Sequence, residues 1–339
     1  MRHRLLVSLT ALCAFGVGVS AQLPAKAQTA ARETRSTYTY KRVGQLALSA
    51  DVHRLPGADV RPAILWLHGG ALIFGDRATV TDHQLERYLR AGYVVVTVDY
   101  RLAPETKLPA IVEDVRDAYA WLREQGPGLI QIDPDRIALI GNSAGAYLAL
   151  WAGSAVTPRP RAVVSFYGYG DITREWTTRP SPFYVAQGRI AKKDAYAVVG
   201  RGVLAASDLF PRVTFYNYCR QNGLWPMEVV GADGPSAAEI LAKFSPSLHV
   251  SADFPPTMLL HGTKDNDVPF DESERMAAAL TKQKIPYRFL RMQGYDHLFD
   301  LFPEGWLTDK PPSPLKDPRV IAAFDTVLQF LGEHVAKRR

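Results

Sequence analysis

Short β-branched runs alternate with longer stretches of helical period along this chain. Tyr38 to Val52 reads as an antiparallel hairpin or edge pair, and Ala63-Ile64-Leu65-Trp66-Leu67 as a buried strand. Leu85 to Arg90 falls in a short helix, and Tyr93 to Val98 is a nearly continuous apolar strand. Ile111, Val115, Ala118 and Leu122 recur at helical spacing on one face. Asp133-Pro134-Asp135 precedes a strand over Ile137–Ile140, residues 144–155 are helical, and Ala162 to Tyr167 is again a strand. Met258–Leu260 and Tyr287–Leu290 are strands separated by a helix over 271–283, and Ile321, Phe324, Leu331 and Val335 mark a terminal amphipathic helix. Strands apolar on both faces, alternating with helices, predict a mostly parallel central sheet with helices on both faces, an α/β layer fold.

Residues 172–250 break this rhythm, because they separate two strands by far more than a crossover requires. The stretch is rich in aromatics, among them Trp176, Tyr184, Phe215, Tyr216 and Trp225, and is punctuated by prolines. It reads as a cap inserted over one edge of the sheet, with Phe215 and Trp225 expected to wall a substrate pocket.

The N-terminus carries Arg2 and Arg4, then an apolar run from Leu5 to Val19, then the small-x-small sequence Val19-Ser20-Ala21, with Ala25-Lys26-Ala27 as a second cleavage option. This is the pattern of a secretory signal, residues 1–21, and it implies a secreted or periplasmic protein. The run falls short of the ~20 apolar residues of a spanning helix, so no stable membrane insertion is expected. Cleavage there removes Arg2 and Arg4 and takes the net charge from +6 to +4, too little to imply nucleic acid. It also removes Cys13 and leaves Cys219 alone, expected as a small buried side chain. With 339 residues, 47% hydrophobic and 22% charged, the composition excludes collagen-like, coiled-coil, disordered and disulfide-framework proteins. One domain over residues 37–339 is expected.

Gly141-Asn142-Ser143-Ala144-Gly145 follows a strand and opens a helix. A serine on such a turn has its hydroxyl exposed, and its flanking positions must be small because strand and helix backbones nearly collide. Ser143 is therefore the candidate nucleophile. Gly69 and Gly70 follow the first buried strand, and their backbone N–H groups, with that of Ala144, are candidates to stabilise an oxyanion. His68 beside them is expected to brace the loop. A serine needs a base, and His297 lies after a late strand, last in the order Ser, acid, His. His334 in the terminal helix is expected to be solvated. The acid should follow the strand Met258–Leu260, where Asp265 and Asp267 both qualify; one of the two is expected to be an ordinary solvated turn residue.

Taken together, His68-Gly69-Gly70, Asp99-Tyr100-Arg101-Leu102-Ala103-Pro104, Pro109 with Glu113-Asp114-Val115, Asp135-Arg136-Ile137, the Ser143 turn, His261 to Pro269 and His297 occur in one order over residues 45–305. In this the chain resembles the α/β-hydrolase superfamily, in particular secreted esterases and lipases of the hormone-sensitive-lipase-like and feruloyl-esterase-like branches. The resemblance implies a Ser-Asp-His triad and places the acid at Asp265, two residues before Val268-Pro269. It also implies ester hydrolysis through an acyl-enzyme, with no cofactor or metal, on a small-molecule or polymer-linked ester. Ala71 departs from the pattern, since many lipase-like members carry a third glycine there. An amidase or peptidase with the same triad is the nearest alternative, and a non-catalytic binding protein on the same fold is the alternative from another class.

Overall fold

The computed structural model describes residues 33–301 and 316–337. The signal segment, both cleavage options and Cys13 lie outside the described residues. The centre is an eight-stranded sheet in the order β1-β2-β4-β3-β5-β6-β7-β8. Its strands are β1 (Thr34–Val43), β2 (Leu46–Arg54), β3 (Arg61–Leu67), β4 (Val94–Val98), β5 (Ile132–Asn142), β6 (Ala162–Phe166), β7 (Thr257–Gly262) and β8 (Tyr287–Met292). β1 pairs antiparallel with β2, and β2 antiparallel with β4; every other pairing is parallel. The parallel strands are the continuous apolar runs because helices cover both of their faces.

Two apolar layers show this directly. Ala63 and Leu65 share a core with α2 (Leu108–Ile130), α3 (Ala144–Ala155) and α9 (Asp271–Lys282). The alternate residues Ile64 and Trp66 pack with α1 (Asp82–Arg90) and α10 (Pro318–Leu331). β5 begins earlier than the apolar run suggested: Ile132 pairs with Arg61, the register then shifts, and Ala63 pairs with Ile137. Asp133, Pro134 and Asp135 therefore sit in an irregular part of the strand, where Asp133 accepts from Arg136 at 2.8 Å. His334 is half-buried against Phe330, with ring centroids 4.6 Å apart, which corrects the expectation of a solvated residue.

Between β6 and β7 the chain forms α4 (Glu175–Thr178), α5 (Pro182–Ala186), α6 (Lys192–Tyr196), α7 (Leu209–Asn222) and α8 (Ala237–Lys243). α7 is tied to the loops after β3 and β4. The Arg212 guanidinium donates to the Ile73 carbonyl at 2.7 Å, to that of Ala103, and to both oxygens of Glu105. A buried Glu272 on α9 holds the start of the same segment by accepting the N–H groups of Gly170 and Asp171 and the Trp176 indole. These bonds set α7 above the C-terminal ends of the parallel strands, where crevices of α/β sheets open. Among the described residues no helix is long and apolar enough to cross a membrane.

Candidate active site

β5 ends and α3 begins with a single residue between them. That residue, Ser143, has φ 51° and ψ −121°, a strained conformation for a side chain with a Cβ. The strain is imposed by close approach. A Cβ on Gly141 would lie 2.3 Å from the Gly145 carbonyl carbon, and one on Gly145 would lie 2.1 Å from the Leu67 carbonyl oxygen. Only glycine fits at either place, so Gly-x-Ser-x-Gly is a steric statement here. The turn aims the Ser143 hydroxyl at His297, whose Nε2 is 3.0 Å from Oγ.

His297 lies on the loop after β8. The Asp296 carboxylate fixes this loop by accepting the N–H groups of Asn266 and His297. Nδ1 of His297 is 2.7 Å from Oδ2 of Asp265, on the loop after β7. The other oxygen of Asp265 accepts the backbone N–H groups of Asp267 at 2.9 Å and Val268 at 2.8 Å. His261 Nε2 also stands 3.1 Å from Asp265 Oδ2. Burial alone would raise the Asp265 carboxyl, but the His297 charge and the hydrogen bonds from His261 and His297 outweigh it and hold it well below the usual carboxylate range. Burial likewise opposes the charged form of His297, yet Asp265, Asp267 and Asp296 together raise it above its ordinary value. An aspartate that stays ionised beside an imidazole able to take a proton is the electrostatic arrangement a serine nucleophile requires.

The loop after β3 lies against the same turn. A Cβ on Gly69 would sit 3.0 Å from the Asn142 carbonyl oxygen and 3.4 Å from the Ser143 Cβ. Gly70 has φ 106° and its carbonyl accepts the N–H groups of Ile73 and Phe74, which curls the loop. Among the described residues the N–H groups of Gly69 and Gly70 donate to no backbone carbonyl, so they are available to an incoming oxygen. Ala71 occupies the next position with φ 55°. His68 braces this loop: its Nδ1 is 2.7 Å from the Gly69 carbonyl and its ring stacks on Tyr100 at 4.1 Å. Burial lowers its pKa to about 4, so it is a neutral strut. The motif Asp99 to Pro104 supports the loop from behind. Tyr100 donates to the His68 carbonyl, and Ala103 N–H to that of Leu72. Arg101 grips Asp114 at 2.7 Å through two nitrogens.

Two cavities open on Ser143. The larger, about 300 Å³, has mainly apolar walls that include Phe74, Leu209, Val213, Tyr216 and Leu298. The smaller, about 10 Å³, lies beside Trp176, Tyr216, Arg220, Trp225 and Asp267. Trp225 borders this second cavity, and its indole N–H reaches the Ala71 carbonyl at 3.3 Å. The expectation for Phe215 is corrected. Its ring is fully buried against Tyr196, with centroids 5.3 Å apart, and it lines neither cavity. It sits one position before Tyr216 on α7, and a helix turns about 100° per residue, so only one of the two can face the site. Cys219 is buried and free, and burial pushes its thiol up, which makes it inert packing.

Sequence reasoning expected one of the two loop aspartates to be solvated, and neither is. Asp267 is 7% exposed and takes the hydroxyls of Tyr184 and Tyr216 and the guanidinium of Arg220. It also missed Tyr167, whose ring packs edge-to-face on His297 with centroids 4.7 Å apart and whose hydroxyl donates to the buried Asp300 at 2.6 Å. Gln84 closes that network by donating to Asp300 at 2.7 Å. No local pattern marks these residues, since their partners are far away in the chain.

The BD-FAE family profile matches residues 51–280, a span holding Gly69, Gly70, Ser143 and Asp265, with His297 beyond it. The chain belongs to the BD-FAE family of α/β-hydrolase esterases. Like this BD-FAE member, an α/β-hydrolase superfamily protein from Enterococcus faecalis has the same fold, with a TM-score of 0.67 at 22% identity over 88% of this chain and 99% of that one. One of two fungal esterases from Rhizomucor miehei aligns with a TM-score of 0.62 at 21% identity, over 90% of this chain and 84% of its own. The non-reducing polyketide synthase ausA of Aspergillus calidoustus is 29% identical over 356 residues, 88% of this chain but 14% of that protein. The chain thus spans only a small part of the length of the curated relatives it matches.

Proposed function

We infer that the protein hydrolyses carboxylic esters through a Ser143 acyl-enzyme. The observation that carries this is the continuous hydrogen-bond chain from Ser143 Oγ through His297 to Asp265, opening into an apolar cavity. Ser143 Oγ attacks the ester carbonyl while His297 Nε2 takes its proton. His297 then passes that proton to the leaving alcohol. Asp265 keeps the proton on Nδ1 and stabilises the imidazolium. The N–H groups of Gly69, Gly70 and Ala144 receive the oxyanion, worth roughly 3–4 kcal/mol for each donor in sites of this kind. Water then repeats the sequence on the acyl carbon. The larger cavity suits an apolar acyl or alcohol part of a small or polymer-linked ester. The basic residues and apolar run at the N-terminus support export as part of the same reading.

A fluorophosphonate tests the chemistry, because it needs an activated serine beside oxyanion donors. The adduct is expected on the Ser143 peptide by mass spectrometry, with labelling and ester turnover abolished in a folded Ser143→Ala variant. Labelling that survives this substitution places the nucleophile elsewhere.

A further inference from the structure

Asp267 is an odd residue to find in the wall of an esterase pocket. Its Oδ1 is saturated: Tyr184 donates at 2.9 Å, Arg220 at 2.7 Å, and Tyr216 donates as well. Its Oδ2 stands 3.6 Å from Nε2 of His297, past direct hydrogen-bonding distance and near enough for one water to touch both. Asp267, Ser143 and Tyr216 border both cavities, while His297 borders the larger and Arg220 the smaller cavity. The smaller cavity's volume of about 10 Å³ is the room of a single water. Arg220 is buried, and its Nε has no hydrogen-bond partner among the described residues. Beside the apolar rings of Trp176 and Trp225, Asp267 and Arg220 offer a water there the polar partners that a buried water needs.

The geometry points to the gap between Asp267 Oδ2 and His297 Nε2, at the Ser143 and Asp267 wall that the two cavities share, as the seat of the water that cleaves the acyl-enzyme, with Asp267 orienting it. The inference rests on the serine-esterase reading of the same site. In the step, the water oxygen bonds to the acyl carbon and one of its protons passes to His297 Nε2. The other O–H is held by Asp267 Oδ2. As the tetrahedral adduct collapses, the bond from the acyl carbon to Ser143 Oγ breaks and His297 returns its proton to Oγ. A carboxylic acid leaves, and no other reactant is consumed. Arg220, Tyr184 and Tyr216 are positioning residues, because they occupy Oδ1 and so leave Oδ2 turned to the water.

The test separates the two half-reactions on p-nitrophenyl acetate. Asp267→Asn changes the Oδ2 acceptor into a donor at nearly constant shape. It is expected to lower kcat tenfold or more while kcat/KM, which reports acylation, stays within about threefold. Acetylated Ser143 should then accumulate at steady state and be visible by intact mass. Equal falls in kcat and kcat/KM, or no accumulation, overturn the proposal. Because Asp267→Asn leaves the Arg220 charge without its partner, Asp267→Asn with Arg220→Gln is measured beside it, and the same split is expected. A crystal structure of the unmodified protein provides a test that needs no variant. It should show an ordered water hydrogen-bonded to Asp267 Oδ2 and close to His297 Nε2; the absence of that water overturns the proposal. An unmodified protein with no ester turnover and no Ser143 adduct refutes the esterase reading itself, which is a different result.

Discussion

Asp265→Asn isolates the hydrogen bond that sets the tautomer of His297. In the structure Oδ1 of Asp265 is held by two backbone N–H groups, of Asp267 and Val268, at 2.9 and 2.8 Å. An asparagine keeps those bonds only by putting its carbonyl oxygen there. Its NH₂ group then faces Nδ1 of His297, where Oδ2 now accepts at 2.7 Å. Two donors cannot meet, so the imidazole must shift its proton to Nε2. That nitrogen stands 3.0 Å from Ser143 Oγ and can no longer accept its proton. A wrong tautomer in a triad of this kind costs about 10⁴ in turnover, on the order of 5 kcal/mol of transition-state stabilisation. His261 keeps its contact with the Val268 carbonyl at 3.1 Å, so the loop has an anchor independent of the lost charge. The assay is kcat and kcat/KM on one activated aryl ester, with circular dichroism to confirm the fold. Both constants are expected to fall together, which distinguishes this variant from Asp267→Asn. A loss below about tenfold in a folded protein refutes the reasoning, and a far larger acylation defect in Asp267→Asn shows that the acid is two residues away.

His297 must be neutral to act as base, and its neighbours raise it above its ordinary value. Activity should therefore be absent at low pH and appear as pH rises, with a midpoint of kcat/KM above about 6.5; a midpoint at or below that value contradicts the carboxylate contacts. Asp267→Asn, by removing one of the charges responsible, should move that midpoint down. Phe215→Ala should cost roughly 3–5 kcal/mol of stability and leave the ranking of acyl chains unchanged, read by denaturant unfolding and an ester series. Trp225→Ala, by contrast, should change that ranking because it removes a wall of the smaller cavity and opens it beyond the room of one water; an unchanged ranking makes Trp225 purely structural. Export predicts a mature chain beginning near Gln22 or Gln28, checked by N-terminal sequencing of protein recovered outside the cytoplasm, and refuted by a chain that starts at Met1.

Much of this protein was legible from consecutive residues. The runs Ala63–Leu67, Val94–Val98 and Ile137–Ile140 are apolar at every position except Thr97 because both faces of their strands are covered, and that state is written into the chain locally. Ser143 was legible from the Gly141 to Gly145 pattern, although only Gly141 answers to a neighbour within five residues, and Gly145 is required by the Leu67 backbone at the end of β3. His297 was reachable from its place after a late strand. The choice between Asp265 and Asp267 was not open to residue reasoning alone, since both lie in one loop. The tertiary structure orients both: Asp265 takes two backbone N–H groups and faces Nδ1 of His297, while Asp267 turns to Arg220 and two tyrosines on the inserted segment. The same holds for Phe215 and Tyr216, neighbours of equal apolar character whose roles depend on the rotational phase of α7. That phase is set by Arg212 reaching Ile73, Ala103 and Glu105, more than a hundred residues away. Tyr167, Asp300 and Gln84 likewise meet only when α1 and the segments after β6 and β8 converge. Hydrophobic periodicity and the glycine pattern around the serine leave a signature in consecutive residues and can be read from the chain. Which polar side chain is buried, and against which partner, is decided by long-range packing that brings distant donors and acceptors into one dry site.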